Sequence, residues 1–430
     1  MNEIAPKTLR QGHPLDRAWV QLLILLTGVC LVPFGWFRGH VAPLIIESGI
    51  NSLLLSMAAT IASWYGLERL RYFAYSRRLS YVLPITSLSF GIAALAIGIL
   101  RIPYSLVILL LTYLVTTFLN FTFAALTRAS IPKRWLVPGG RINEIYEVIG
   151  PEDLLSIDQA EALLEEGGLE GSIIADLHFS HPVAWEKFLA EAAIQGAPVY
   201  HYRSVLELYT GQVRIDHMRE NNLGSLIPNL TYLSAKRLAD LVGSLILLPL
   251  LLPLFAILAA IIRIDSTGPV FFRQTRVGYR GKTFRVYKFR TMRSRDNTDP
   301  QVDKINDVIT AENDPRITRV GRVLRKTRLD ELPQIFNVIR GDMSWVGPRP
   351  EALDLSMLYE SSVPFYRYRH IVRPGITGWA QVNQGHVTDV DDIARKLRFD
   401  FYYVRNASLW IDILIVMKTV RVMTSGFGAK

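Results

Sequence analysis

Four apolar runs of membrane length open the chain, near residues 18–37, 43–65, 80–100 and 102–126, and each is long enough to cross a bilayer as a helix. The first is too long for a removable leader and lacks a small-residue cleavage site, so it is expected to remain as a span. A fifth run, Leu241–Ile262, is free of charge and again of spanning length, but it carries Pro249 and Pro253. Each proline removes a backbone donor in mid-helix and favours a break. Between the fourth and fifth runs the pattern shortens to strand candidates at 135–137, 173–175 and 199–201 and helix candidates at 152–166 and 182–195. That alternation predicts a small α/β unit with a parallel sheet. Beyond the fifth run, apolar and basic residues alternate over 269–274 and 283–292 on either side of a turn at Tyr279-Arg-Gly-Lys282, which predicts a hairpin with a cationic polar face. Further on, Asp330 as N-cap, Glu331 and Pro333 in the first turn and the run Ile335-Phe336-Val338-Ile339 read as a helix start.

Charge orients these elements. Lys7, Arg10 and Arg17 precede the first run, Arg69, Arg71, Arg77 and Arg78 follow the second, and Arg128, Lys133 and Arg134 follow the fourth, while the intervening loops offer only Arg38 and Arg101. The positive-inside rule places the N-terminus and the start of everything after residue 127 on the cytoplasmic side. The fifth run has Lys236-Arg237 on one flank and Arg263 on the other, so both ends read as cytoplasmic. A helix that enters the membrane and returns satisfies charge and prolines together; a simple proline-kinked crossing is the alternative.

The net charge of +10 is unevenly distributed: from Arg263 onward there are 29 basic against 18 acidic side chains, and over 131–230 there are 7 against 15. The C-terminal part is therefore suited to anions and the middle part is not. Nucleic acid is set aside, because no aromatic-glycine RNA-binding signature, metal knuckle or helix-turn-helix pattern is present. The single cysteine, Cys30, lies inside an apolar run and supports neither a disulfide framework nor a cysteine-based zinc site. Pro138-Gly139-Gly140 after the first strand hints at a phosphate-binding turn, but the Gly-x-Gly-x-x-Gly spacing is missing. With its acidic surface, this unit reads as a regulatory or assembly module. Two features carry the chemistry. Adjacent carboxylates, Asp330 and Glu331, sit in a segment otherwise dominated by Arg319, Arg322, Arg325, Lys326 and Arg328. Arg349 lies between Pro348 and Pro350, whose fixed backbone suits a bidentate phosphate clamp with little entropy left to lose.

Lys236-Arg-x-x-Asp240, Tyr287-Lys-Phe-Arg-Thr-Met292, Leu324–Gln334, Gly341–Pro350 and Arg373-Pro-Gly-Ile-Thr-Gly-Trp-Ala-Gln-Val-Asn383, with the proline-broken apolar helix, closely resemble the bacterial sugar transferases over about residues 234–424. These are the polyprenyl-phosphate hexose-1-phosphate transferases that start surface glycan assembly, and the four leading spans and the α/β insert resemble the larger members of the family. The resemblance implies a membrane protein of α plus α/β class: a four-helix transmembrane region (1–130), a small Rossmann-like cytoplasmic insert (131–230), and a re-entrant helix with a mostly helical α+β catalytic domain at the membrane interface (231–430). It implies that Asp330 is the nucleophile toward a UDP-sugar, that Glu331 assists proton removal from the acceptor or, with Asp330, holds Mg2+ (or Mn2+), and that Arg325 and Arg349 hold phosphate. Lys288 and Arg290 are expected to add positive charge there. UMP would leave and polyprenyl phosphate would accept the sugar phosphate, at the cytoplasmic face of a bacterial inner membrane; a homo-oligomer is compatible with this. Arg328 stands where the family often has a small serine. Two rivals remain, a non-enzymatic scaffold and a glycosyltransferase that moves sugar without phosphate. The intact Asp330-Glu331 and Gly347-Pro-Arg-Pro350 motifs speak against the first, and release of UMP rather than UDP separates the second.

Overall fold

A computed structural model of the protein describes residues 17–36, 46–70, 78–126, 134–149, 155–156, 158–160, 162, 171–214, 227–293, 314–384 and 390–425. The chain divides into two compact units, Met1–Gly211 and Gln212–Lys430.

In the first unit the four leading runs form helices α1 (Ala18–Trp36), α2 (Glu47–Leu70), α3 (Arg78–Leu100) and α4 (Leu106–Leu126), each long and apolar enough to cross a membrane. Their apolar periodicity is weak because most of their surface is apolar, and what distinguishes the inner faces is polarity. Ser52, Ser56, Thr60 and Ser63 recur at three- and four-residue spacing along one face of α2, and Thr112, Thr116 and Asn120 do so on α4. They pair rung by rung: Thr112 Oγ1 donates to Ser56 Oγ at 2.8 Å, the Thr60 and Thr116 hydroxyls are 2.9 Å apart, and Asn120 Nδ2 reaches Ser63 Oγ at 3.3 Å. Within lipid, where apolar burial between helices contributes little, such small polar contacts let the backbones approach and fix the register.

The α/β unit has three parallel strands in the order β1 (Arg134–Leu136), β2 (Ser172–Ala175), β3 (Val199–His201). Successive side chains of β2 face opposite ways. Ile173 and Ala175 join Trp185 and Phe188 of α6 (Val183–Ile194) on one face, and Ile174 joins Ile145 of α5 (Asn143–Ile149) and Tyr202 and Leu206 of α7 (Tyr202–Thr210) on the other. The three strands and the helix at 182–195 match the pattern read from sequence. The helix expected at 152–166 is helical at 158–160 and 162, and its remaining residues beyond 155–156 lie outside the described ones.

The second unit opens with α8 (Leu230–Asp265), 36 residues long, which runs as one helix through Pro249 and Pro253. The break expected at the prolines does not interrupt the helix. Its body-facing side is anchored along its whole length. Arg237 donates to the main-chain oxygen of Ile339 at 2.8 Å, Trp345 Nε1 donates to Ser244 Oγ at 3.1 Å, and Phe255, Leu258 and Ile262 pack with Phe289, Leu324 and Ile335. The opposite side exposes Leu238, Leu245, Ile246, Leu250 and Ile257. Then come the antiparallel hairpin β4 (Phe271–Val277) and β5 (Thr283–Phe289), helices α9 (Arg319–Thr327) and α10 (Ile335–Arg340), and the parallel pair β6 (Ser344–Val346) and β7 (Gly375–Thr377). Helix α11 (Leu353–Ser362) falls between the two strands of that pair in chain order, and α12 (Trp379–Asn383), α13 (Val390–Arg405) and α14 (Leu409–Ser425) complete the unit. The hairpin is where it was expected; one face exposes Arg273, which lies over the Tyr287 ring, and Arg285, while on the other Lys288 reaches Glu331 and Arg276 donates to the main-chain oxygen of Pro350.

Candidate active site

Helix α9 starts on Thr318, whose hydroxyl accepts from the Gly321 amide at 2.9 Å, and stops at Arg328, whose backbone is left-handed (φ 58°, ψ 15°). A Cβ on Gly321 would sit 2.1 Å from the Thr291 main-chain oxygen, so only glycine lets α9 approach the exit of β5 this closely. The approach brings Arg325 Nε within 2.9 Å of Thr291 Oγ1. After Arg328 the chain enters a 3-10 turn over Leu329–Gln334 that carries both carboxylates and only then leads into α10. Asp330 is therefore not a helix N-cap. The cap position falls to Arg328, with no side-chain capping bond, because the left-handed residue and Pro333 tighten this segment into a 3-10 turn instead of a regular α-helical start.

The turn sends the two buried carboxylates to different environments. Glu331 Oε1 accepts from Lys288 Nζ at 3.0 Å and Arg349 Nη2 at 2.9 Å, with Arg328 Nη1 at 3.9 Å. Burial pushes the Glu331 carboxyl up, but the charges of Arg349 and Lys288 outweigh it and hold the group well below the usual carboxylate range. Asp330 Oδ1 is buried and has no hydrogen-bond partner among the described residues. Its pKa is raised, first by burial and then by the neighbouring charge of Glu331, which Lys288, Arg328 and Arg349 only partly offset. Lys288 is lowered to about 8 by burial, against the pull of Glu331. Adjacent carboxylates shifted in opposite directions divide the labour: Glu331 gathers the cations, and Asp330 keeps lone pairs unengaged.

The structure thus brings Asp330, Glu331, Lys288 and Arg349 together, with Arg325 in electrostatic reach of Asp330. Arg290 does not join them. Its Nη2 donates to the Ser266 main-chain oxygen at 2.6 Å and to Ser266 Oγ at 2.9 Å, just beyond the C-terminal end of α8. Pro249 and Pro253 lie inside that helix. The pair Asp330–Glu331 suits a magnesium ion, which takes one or two carboxylates and completes its shell with water and substrate phosphate. The buried, unengaged Oδ1 of Asp330 is the observation that fits, while Oε1 of Glu331 is already committed to two cations.

Sequence reading missed the support behind Arg349. Arg369 Nη2 donates to the main-chain oxygen of Arg349 at 2.9 Å and pairs with Asp400 Oδ2 at 2.8 Å, and Lys396 pairs with Glu351. The available signal was charge among core positions, since Lys396 and Asp400 are buried alongside Ile393, Leu397, Phe399 and Phe401 of α13. Sequence reading also missed how the α/β unit fills its own glycine turn. Asp176 Oδ2 accepts from the Arg141 amide at 3.0 Å, and a Cβ on Gly140 would lie 2.4 Å from that oxygen. A carboxylate of the chain occupies the position where the turn would greet a phosphate. Beside it, Asp176, His178 and His201 place ligand atoms within 4.8 Å of one another. However, His201 Nδ1 accepts from the Arg203 amide, which leaves the proton on Nε2, the nitrogen that faces His178.

The family profile described as bacterial sugar transferase matches residues 231–426, the span that holds this carboxylate pair and its arginines. A protein of Aeromonas hydrophila named UDP-N-acetylgalactosamine-undecaprenyl-phosphate N-acetylgalactosaminephosphotransferase is 38% identical over 391 residues, 89% of this chain and 88% of that one. The chain belongs to the bacterial sugar transferase family. As a sugar transferase it is an enzyme, of the large form with an N-terminal membrane region. Other relatives match mainly the catalytic part. A UDP-glucose:undecaprenyl-phosphate glucose-1-phosphate transferase of Escherichia coli (strain K12) is 44% identical over 43% of this chain and 39% of its own length. An exopolysaccharide production protein PSS of Rhizobium leguminosarum bv. phaseoli is 45% identical over 43% of this chain and 92% of its own length. The transferase unit is thus shared even where the membrane region is not.

Proposed function

We propose that this sugar transferase moves a hexose-1-phosphate from a UDP-sugar to polyprenyl phosphate, with release of UMP, through a phospho-sugar ester on Asp330, as an early membrane step of surface glycan assembly. The observation that carries the reading is the buried Asp330 carboxylate, whose Oδ1 has no hydrogen-bond partner among the described residues, beside a Glu331 that holds Lys288 and Arg349. An Asp330 oxygen attacks the sugar-linked phosphorus, the bond to the bridging oxygen breaks, and that oxygen leaves with UMP. An oxygen of polyprenyl phosphate then attacks the same phosphorus and frees Asp330, giving the lipid diphosphate sugar. Lys288, Arg325 and Arg349 supply the positive field that lets a carboxylate approach phosphate, and Glu331 keeps Lys288 and Arg349 in position until substrate arrives. Asp330, with the second oxygen of Glu331, would hold Mg2+, which supplies charge neutralisation at the transferring phosphate when bound.

The proposed membrane placement takes its support from the packing of α8. Contacts at Arg237, Ser244, Phe255, Leu258 and Ile262 keep one side of this helix on the catalytic body, while the other side is apolar and exposed. A crossing needs about 20 residues surrounded by lipid or other spans. In this reading α8 dips into one leaflet and bends back at Pro249 and Pro253 once in lipid, which would leave the catalytic unit at the cytoplasmic surface, where nucleotide sugar is dissolved. The test is a panel of UDP-sugars offered to purified protein in nanodiscs, with UMP measured, followed by acid quench of a radiolabelled UDP-sugar without lipid. Label retained on the protein supports the covalent step; label that depends strictly on lipid points to direct transfer in a ternary complex.

A further inference from the structure

Three cations converge on one oxygen of Glu331, and they are not equivalent. Lys288 and Arg349 lie at 3.0 and 2.9 Å with side chains 14% exposed, whereas Arg328 lies at 3.9 Å and is 38% exposed. Arg328 is also one of only four non-glycine residues with positive φ among the described residues. At the left-handed end of a helix glycine or asparagine is the usual choice, since a longer side chain crowds its own backbone there. The turn itself does not call for an arginine. Strain of this kind persists where the surrounding structure over-determines it, and it clusters at active sites and ligand clamps.

We propose that Arg328 is a ligand for the donor pyrophosphate: it loosens from Glu331 and meets the phosphate oxygens of the nucleotide sugar as Asp330 attacks. This rests on the reading of Asp330 as nucleophile given above. The left-handed backbone two residues before Asp330 turns the side chain off the α9 axis toward the carboxylates. Of the three cations, Arg328 is the most solvent-accessible and the farthest from Glu331, so it is the one a soluble dianion meets first. Its planar fork matches two phosphate oxygens, which a serine at this position could not do. Lys288 and Arg349 then remain with Glu331 or share the second phosphate.

The test uses the full chain in nanodiscs with magnesium, comparing wild type with Arg328→Gly, Arg328→Ser and Arg328→Lys. Three readouts are needed: affinity for UDP, UMP release from UDP-sugar, and thermal midpoint. The glycine and serine variants are expected to bind UDP about tenfold more weakly, a typical loss for one charge-assisted contact at a partly exposed site, and to raise KM more than they lower kcat. The lysine variant should keep most of the affinity. The glycine variant should not lower the midpoint, because it relieves the left-handed strain. Unchanged UDP affinity in both the glycine and serine variants overturns the proposal, as does a glycine variant whose weaker binding comes with a midpoint several degrees lower, which would mark Arg328 as a structural residue. If wild-type protein binds UDP and loses affinity in the variants yet releases no UMP, the transferase reading falls and the assignment of Arg328 as a diphosphate ligand stands.

Discussion

Arg369 holds Arg349 from behind: its Nη2 donates to the Arg349 main-chain oxygen at 2.9 Å while the same guanidinium pairs with Asp400 at 2.8 Å. Both partners of that pair are almost wholly buried, and Arg276 adds a second clamp on the main-chain oxygen of Pro350. Burying these charges is costly, and removal of one partner strands the other. The benefit is a fixed loop, so that Arg349 meets Glu331 without searching. Arg369→Lys keeps the charge and loses the fork, and it should lower kcat/KM for UMP release by about 10-fold, since a displacement of about 1 Å at a positioning residue is enough for such losses. A thermal melt run alongside should show a drop of a few degrees. Wild-type kinetics in this variant would show that Pro348 and Pro350 alone hold the loop.

Asp330→Asn should abolish UMP release and, at neutral pH, raise the thermal midpoint. A buried carboxyl whose folded pKa is raised gives its best contribution to stability below the unfolded value of 3.8 and loses it as pH rises through the folded value, so at neutral pH the charged group is a liability. Glu331 has the opposite sign. Its folded pKa is depressed, so its contribution is present above 4.5 and fades as pH falls through the folded value. Glu331→Gln should therefore lower the midpoint at neutral pH, by an amount corresponding to about 3–5 kcal/mol for a broken buried pair, and leave a trace of activity. Near-normal UMP release by Asp330→Asn would sink the nucleophile assignment.

The same shifts fix a pH profile. Asp330 attacks only as carboxylate, so kcat/KM should fall on the acid side at a pH above the ordinary aspartate value of 3.8. Glu331→Gln removes the negative neighbour that raises Asp330 and frees Lys288 and Arg349 to act on it, and both changes favour the charged form. The acid limb of the residual activity should move to lower pH. A limb that stays in place or moves up would mean that another group governs it.

The four leading helices, the parallel strands and the hairpin were legible because each is set by local pattern: runs of membrane length, period-two strands, and a glycine turn between basic-apolar arms. Asp330 and Glu331 stood out as carboxylates in basic company and Arg349 as an arginine held between prolines, whereas Lys288 was joined to them only through the family resemblance. Which carboxylate takes the cations was not legible, since it depends on the sense of a 3-10 turn set by one left-handed residue, and no periodicity encodes that. Arg290 was misplaced for a related reason: it lies two positions beyond Lys288 but past the end of β5, where the strand alternation no longer directs it. Arg369, Lys396 and Asp400 escaped because the contacts Arg369–Arg349, Arg369–Asp400 and Lys396–Glu351 span 20, 31 and 45 positions and only the fold joins them. The serine-threonine ladder of α2 and α4 was hidden in a pattern that counts such residues as neutral in a membrane run.

The last expectation concerns α8. One side of the helix is pinned to the catalytic unit from Arg237 to Ile262, and Pro249 and Pro253 each lack the amide that would close a helical hydrogen bond in between. Those contacts, more than the prolines, oppose a crossing, because moving half of α8 through a bilayer would strip Phe255, Leu258 and Ile262 from Phe289 and Ile335. The C-terminus is thus expected on the same side as the N-terminus. With Pro249 and Pro253 both changed to Leu, an unbroken apolar stretch of spanning length competes with the packed arrangement, and a minor fraction of the chains should cross, with a matching loss of UMP release. The exposed Cys30 must first be removed by Cys30→Ser, so that a cysteine placed at Lys430 is the only target of a membrane-impermeant thiol reagent. Labelling from outside in the otherwise native chain would overturn the re-entrant placement. Uniform protection together with full activity in the double leucine variant would assign the return of the helix to its packing on the catalytic unit and none of it to the prolines.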